Sequence, residues 1–182
     1  DRRNFLRAVA LGSAAFAIKD TDAMSIMTQS FAADGKVATK YDLVAVMGGE
    51  PDVMFRKAIA EMGGMVKFIK KGDKVVVKPN IGWDKIPELA ANTNPKLVAE
   101  IVEQCFKAGA KEVTVFDHTC DDWRKCYKNS GIEAAAKAAG ANVVPADQGS
   151  YYKPVSLPNG KKLTKTQIHE SIVNCDKWIN VP

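Results

Sequence analysis

Three short stretches of this 182-residue chain carry side chains that could do chemistry. The first is Lys78-Pro79-Asn80-Ile81-Gly82-Trp83, in which a cation and a carboxamide follow the apolar run Val75-Val76-Val77. Lys78 in that place can bind an anionic substrate or act as an electrophile, and Asn80 can hold a carbonyl or a phosphate. The structural alternative is a lysine that snorkels from a strand end and an asparagine that caps a turn. The second stretch is Asp117-His118-Thr119-Cys120, with a carboxylate, an imidazole and a thiol in four residues. Such a set suits proton transfer or metal ligation. Consecutive residues of extended chain point in opposite directions, so Asp117 can share a site with Thr119, or His118 with Cys120, but all four cannot. The third is Cys120 with Cys126. In an oxidising compartment the two can close a small disulfide ring; otherwise one serves as a thiolate ligand or nucleophile.

Candidate catalytic residues are therefore Lys78, Asn80 and Asp117, and candidate metal ligands Asp117, His118, Cys120 and Cys126. The expected group is a metal ion, and the expected ligand a small anion. Cys105, on the apolar stripe of a predicted helix, and Cys175, beside a predicted strand, read as small buried hydrophobes. His169 reads as a surface residue of its helix. Gly48-Gly49 lacks the spacing of a dinucleotide or Walker loop and reads as a plain turn.

Positioning these residues requires strands whose carboxyl ends share an edge. Apolar runs alternate with helical patterns at the rhythm of βαβ units, which predicts an α/β fold: a mostly parallel sheet with helices on both faces, a Rossmann-like three-layer architecture. Strands are expected at 42–47, 74–78, 112–117, 142–145 and 177–181. Helices are expected at 51–62, at 95–108 behind an Asn94 cap and a Pro95 start, at 130–139 and at 166–175. The loop 118–127 is expected to be partly helical, and 148–163 to hold a hairpin with Pro158-Asn159-Gly160 at its tip. In open α/β sheets ligands bind outside the carboxyl ends of the strands, where the Lys78 and Asp117 loops converge.

The amino terminus reads as an address. Arg2-Arg3-Asn4-Phe5-Leu6 precedes an apolar run of eleven residues, Ala8 to Ile18, too short for the roughly 20 residues that span a bilayer. Arg2, Arg3, Phe5 and Leu6 fill the places of a twin-arginine signal. The resemblance implies export of an already folded protein by the twin-arginine machinery, a route often used by enzymes that acquire a metal or redox cofactor in the cytoplasm. Cleavage is expected after Ala32 or Ala33, giving a signal over 1–32, an α/β domain over 33–182 and no membrane anchor afterwards. The formal net charge of +5 falls to +4 without the signal, and the basic pairs lack interleaved aromatics. Nucleic-acid binding is not indicated.

The ordered set Lys74-Val75-Val76-Val77-Lys78-Pro79-Asn80, Thr93-Asn94-Pro95, Ala108-Gly109-Ala110-Lys111, Cys126-Tyr127, Ser130-Gly131-Ile132 and Trp178-Ile179-Asn180-Val181-Pro182 resembles the exported branch of the uncharacterised family known as domain of unknown function 362, over about residues 40–182. In that family the last strand leads into a segment with Lys and His, so the chain reads as the N-terminal part of a longer domain. Some members carry ferredoxin-type iron–sulfur domains, whose Cys run is not present here. A looser similarity to the N-terminal part of nickel-pincer lactate racemases implies anion or hydroxy-acid chemistry by analogy.

Overall fold

The computed structural model describes residues 41–182. The Arg2, Arg3, Phe5 and Leu6 motif and the expected cleavage sites lie outside the described residues.

The first helix, α1 (Pro51–Glu61), begins on a proline whose missing N–H costs nothing at that position, and places Asp52 in its first turn. After a 3-10 turn at Met65–Lys67 comes β1 (Lys74–Pro79). Helix α2 (Pro95–Lys107) starts as expected: the Asn94 side chain accepts from Lys96 N at 2.9 Å and Pro95 follows it. It ends before Gly109, which sits at φ +102 with the Lys71 backbone so close that a Cβ would lie 3.2 Å from Cα. No other residue fits both demands. Strand β2 (Glu112–Val115), helices α3 (Trp123–Asn129) and α4 (Ile132–Ala138), and the short β3 (Asn142–Val143) follow. A hairpin of β4 (Tyr152–Ser156) and β5 (Lys165–His169) leads to the single-turn α5 (Glu170–Val173) and finally to β6 (Lys177–Val181).

The four parallel strands lie in the order β3-β2-β1-β6, and the antiparallel β4-β5 pair stands apart as a second sheet. The fold is thus α/β with a parallel sheet, as the sequence implies. Alternation sorts the strand side chains onto two faces. One face presents Val75, Val77, Val113 and Val115 to Val98, Ile101, Val102 and Cys105 of α2, with Ile132 and Ala136 of α4 joining the same cluster. Arg56 fastens α1 to α2, bonding Asp52 at 2.7 Å and the buried Glu100 at 2.8 Å. The other face presents Val76 and Phe116, covered by Ala146 of the loop after β3, Tyr152 of the hairpin, Ile172 of α5 and Cys175 just beyond it.

Two expectations are corrected. Residues 42–47 form no strand; Leu43 and Met47 are 78% and 92% exposed. Their composition is that of a strand, but a strand exists only where a neighbouring backbone accepts its hydrogen bonds. The segment 166–175 is not one helix: it is β5 followed by a single helical turn. Ile168 and Ile172 are spaced like a helical stripe, yet both reach one cleft through a strand and then a turn.

Candidate functional site

Chain direction across the sheet reverses beside β1. From β1 the chain moves outward to β2 and β3, then returns to place β6 on the other side of β1. The crevice between diverging connections therefore opens at the carboxyl ends of β1 and β6. Register pairs Lys78 with Asn180 and Val76 with Trp178, so these side chains share the second face at that crevice.

Lys78 and Asp117 meet there. Lys78 Nζ lies 2.5 Å from Asp117 Oδ1, with the carboxylate buried and the lysine side chain about one-third exposed. Asp117 Oδ1 also accepts from His118 N at 2.9 Å, and Oδ2 accepts from Ile81 N at 2.7 Å. A carboxylate so surrounded by donors is compensated in place, and it ties the β1 loop to the end of β2. The lysine uses one of its three N–H groups on Asp117, leaving the others without a partner among the described residues.

Asn80 takes a structural place: Oδ1 accepts from Gly82 N at 3.1 Å and Nδ2 donates to Ala91 O at 3.2 Å. The loop that it shapes is joined to β6 by Thr93, whose hydroxyl accepts from Asn80 N at 2.9 Å and donates to Val181 O at 2.8 Å.

The two histidines hold opposite tautomers. His118 Nδ1 lies 2.9 Å from Ala146 O and 3.0 Å from the Tyr152 hydroxyl. A carbonyl only accepts, so Nδ1 carries the proton and Nε2 is the acceptor nitrogen, with no partner among the described residues. His169 reverses this: Nδ1 accepts from Ser171 N at 3.2 Å, so Nε2 donates to Pro145 O at 3.1 Å. The expected surface position of His169 is corrected, because it is 3% exposed and stacks on Phe116 with ring centroids 3.9 Å apart. It ends β5 and caps α5, which makes it a structural residue.

All four cysteines are free. Cys126 is buried with Sγ 3.6 Å from Gly82 O, and burial, with added repulsion from the carboxylates of Asp121, Asp84 and Asp122, pushes its thiol up, away from the thiolate that binds metals. Cys120 is exposed. Cys105 behaves as a buried hydrophobe, its thiol pushed up to about 12 by burial, and burial likewise raises Cys175. Among the described residues no three His, Cys, Asp or Glu side chains form a group that could hold a metal ion. Asp117, His118, Cys120 and Cys126 thus do not make a donor set for a metal ion or an iron–sulfur cluster.

Sequence reasoning passed over Tyr127 and Tyr152. Tyr127 stands at the centre, buried, its hydroxyl accepting from Asp117 N at 2.8 Å with the carbonyls of Asp117 and Val144 at 2.9 and 3.0 Å. Burial raises its phenol far above the ordinary range. Tyr152 and Trp178 complete a cleft of about 320 Å³ with Lys78, Phe116, His118 and Ile172. Burial, reinforced by Asp117 and Asp147, also pushes the Tyr152 phenol up. The available signal was an aromatic adjacent to each candidate element, which identified neither tyrosine as a site residue. A larger cleft of about 450 Å³ beside α1, lined by Phe55, Ile59, Phe68 and Ile179, shares Trp178 with the smaller one and contains none of the candidate catalytic or metal-ligating residues.

Residues 75–182 match the family described as Domain of unknown function (DUF362). The chain is also similar to a thylakoid-associated protein of Synechocystis sp., 27% identical over 127 residues, which is 70% of this chain and 38% of that protein. The chain thus spans under two-fifths of that relative's length. No solved structure matches it. With motifs at the ends of β1, β2 and β6 inside the matched region, the chain belongs to the DUF362 family.

Proposed function

We propose that the protein binds and acts on a small anionic substrate at the carboxyl edge of its parallel sheet, with Lys78 as the anchor. The observation that carries this reading is the Lys78 ammonium held by buried Asp117 beside the β1–β6 crevice, with N–H groups left over for a ligand. Asp117 and Asn80 then act as positioning residues, the first fixing the lysine and the second shaping its loop. His118 contributes a ring nitrogen that can accept a proton at the same cleft. No step of this reading runs through a metal ion or an iron–sulfur cluster.

A second reading, a binding protein without turnover, is favoured by one observation: the carboxylate of Asp117 and both polar atoms of Asn80 are engaged by the protein itself. Calorimetric titration of the full chain with phosphate and a panel of small carboxylates tests the shared premise. Saturable binding is expected, and it is expected to vanish in a Lys78→Met/Asp117→Asn double variant, which removes both charges and leaves no unpaired ion. Binding of equal strength in that variant would rule the anchor out. Recovery of a bound anion chemically unchanged after long incubation would select the second reading.

Residues 1–32 are proposed as a twin-arginine export signal and 33–182 as the α/β domain, placing the site outside the cytoplasm. The name of the Synechocystis relative associates that protein with thylakoids, which agrees with a membrane-associated or extracytoplasmic setting. Arg2→Lys/Arg3→Lys is expected to hold the precursor in the cytoplasm; unchanged export would reject the assignment.

A further inference from the structure

The cleft at Lys78 is chemically divided. Its lining joins the polar Lys78, His118 and Gln167 to the apolar Phe116, Ile172 and Trp178, with Ile168 from the hairpin. Trp178 is 54% exposed, which leaves much of a large aromatic surface open to a ligand, and register sets it two residues before Lys78's partner Asn180, on the same face. Its volume, about 320 Å³, lies at the lower end of small-molecule pockets, which run from about 300 to 1,000 Å³.

Each half of this arrangement excludes a ligand class. A hydrated inorganic anion would satisfy Lys78 but would have to give up water against a lining that is mostly apolar. An uncharged apolar molecule would satisfy the wall but cover the lysine N–H groups without replacing their hydration. A molecule with one anionic head and a compact apolar body satisfies both.

We propose that this cleft takes an organic monocarboxylate with a ring-sized apolar body, its carboxylate on Lys78 and its body against Phe116, Ile172 and Trp178. The proposal rests on the reading of Lys78 as an anion anchor and adds the class of molecule that the anchor serves.

The test uses the full chain, labelled at isoleucine methyl groups and tryptophan Nε1, titrated in separate experiments with sodium 1-naphthoate, sodium acetate and sodium phosphate at constant ionic strength. Naphthoate is expected to shift Ile168, Ile172 and Trp178 while leaving Ile59 in the cleft beside α1 unmoved, and to bind at least tenfold more tightly than acetate. Trp178→Ala, a change at a half-exposed position, is expected to weaken naphthoate at least tenfold and acetate hardly at all. Lys78→Met/Asp117→Asn is expected to abolish both. Acetate or phosphate shifting the same signals as tightly as naphthoate would overturn the proposed class and leave the anchor standing. Naphthoate binding unchanged in the double variant would overturn the anchor, and with it the proposal. Shifts at Ile59 and Trp178 with Ile168 and Ile172 unmoved would overturn the proposal by assigning the apolar body to the other cleft, which Trp178 also lines.

Discussion

The two faces of the parallel sheet are made from the same strands and do opposite work. On one, Val75, Val77, Val113 and Val115 meet α1, α2 and α4 in a continuous apolar cluster, and the buried Glu100 of α2 is paired with Arg56. On the other, Val76 and Phe116 are flanked by Lys78 and Trp178 and covered by a hairpin and one helical turn, which leave a cleft open. A period of two lets β1 assign alternate residues to packing and to chemistry without one compromising the other. Stability should therefore concentrate on the helical face and ligand recognition on the hairpin face.

The sharpest way to break that division is Ile101→Ala in α2, which empties a fully buried site on the helical face. It is expected to cost about 3 kcal/mol in urea denaturation while leaving the affinity of the folded protein for naphthoate unchanged. A cost below about 1 kcal/mol would show that the helical face is not the stabilising one. Tyr127→Phe comes next, at about 2 kcal/mol, because it leaves Asp117 N and Val144 O buried without their hydroxyl partner. Since Tyr127 sits in the helical-face cluster and bonds the backbone of Asp117, which holds Lys78, this variant is also expected to weaken ligand binding. Trp178→Ala should cost less than about 1 kcal/mol in stability, yet lose most of the naphthoate affinity, the reverse of Ile101→Ala.

The chemical reactivity of the thiols draws the same line in another way. Under native conditions an alkylating reagent is expected to modify Cys120 and to spare Cys105 and Cys126, as read by mass spectrometry. Rapid loss of the Cys126 thiol would mean that the loop beside Gly82 opens readily. The smallest signal is a nitrogen chemical shift. The chain's two histidines should show opposite neutral tautomers in long-range nitrogen–proton spectra, the proton on Nδ1 in His118 and on Nε2 in His169. His118 with its proton on Nε2 would remove the acceptor nitrogen from the proposed site.

Much of the helical face was legible because its signals are local. Asn94-Pro95 marks the start of α2, the Leu97-to-Phe106 stripe gives its period, and a run of valines between Gly72-Asp73 and Pro79-Asn80 can hardly be other than a buried strand. The hairpin face was not, because its determinants are tertiary. Ile168 and Ile172 mimic a helical pair, and only packing against Phe116 shows that a strand and a turn deliver them; His169 was misplaced with them. Of the candidate site, Lys78 and Asp117 were legible as strand-end residues, and the structure brings them into contact. Asn80 was the residue whose alternative, a turn cap, is what the hydrogen bonds show. Cys120 and Cys126 share the loop region around Gly82, but nothing in sequence spacing tells that one thiol is buried and the other open.

The pairing of β1 with β6 joins Val75 to Lys177 across more than half the chain. Closing that contact requires the largest loss of chain entropy in the sheet, whereas β1 and β2 are separated by a single helical crossover. The local βαβ unit can therefore form first, and the strand carrying Trp178 should be the last to dock. The cleft comes into being only at that step, so a bound carboxylate would slow unfolding by holding β6 in place and would leave the early steps of refolding untouched.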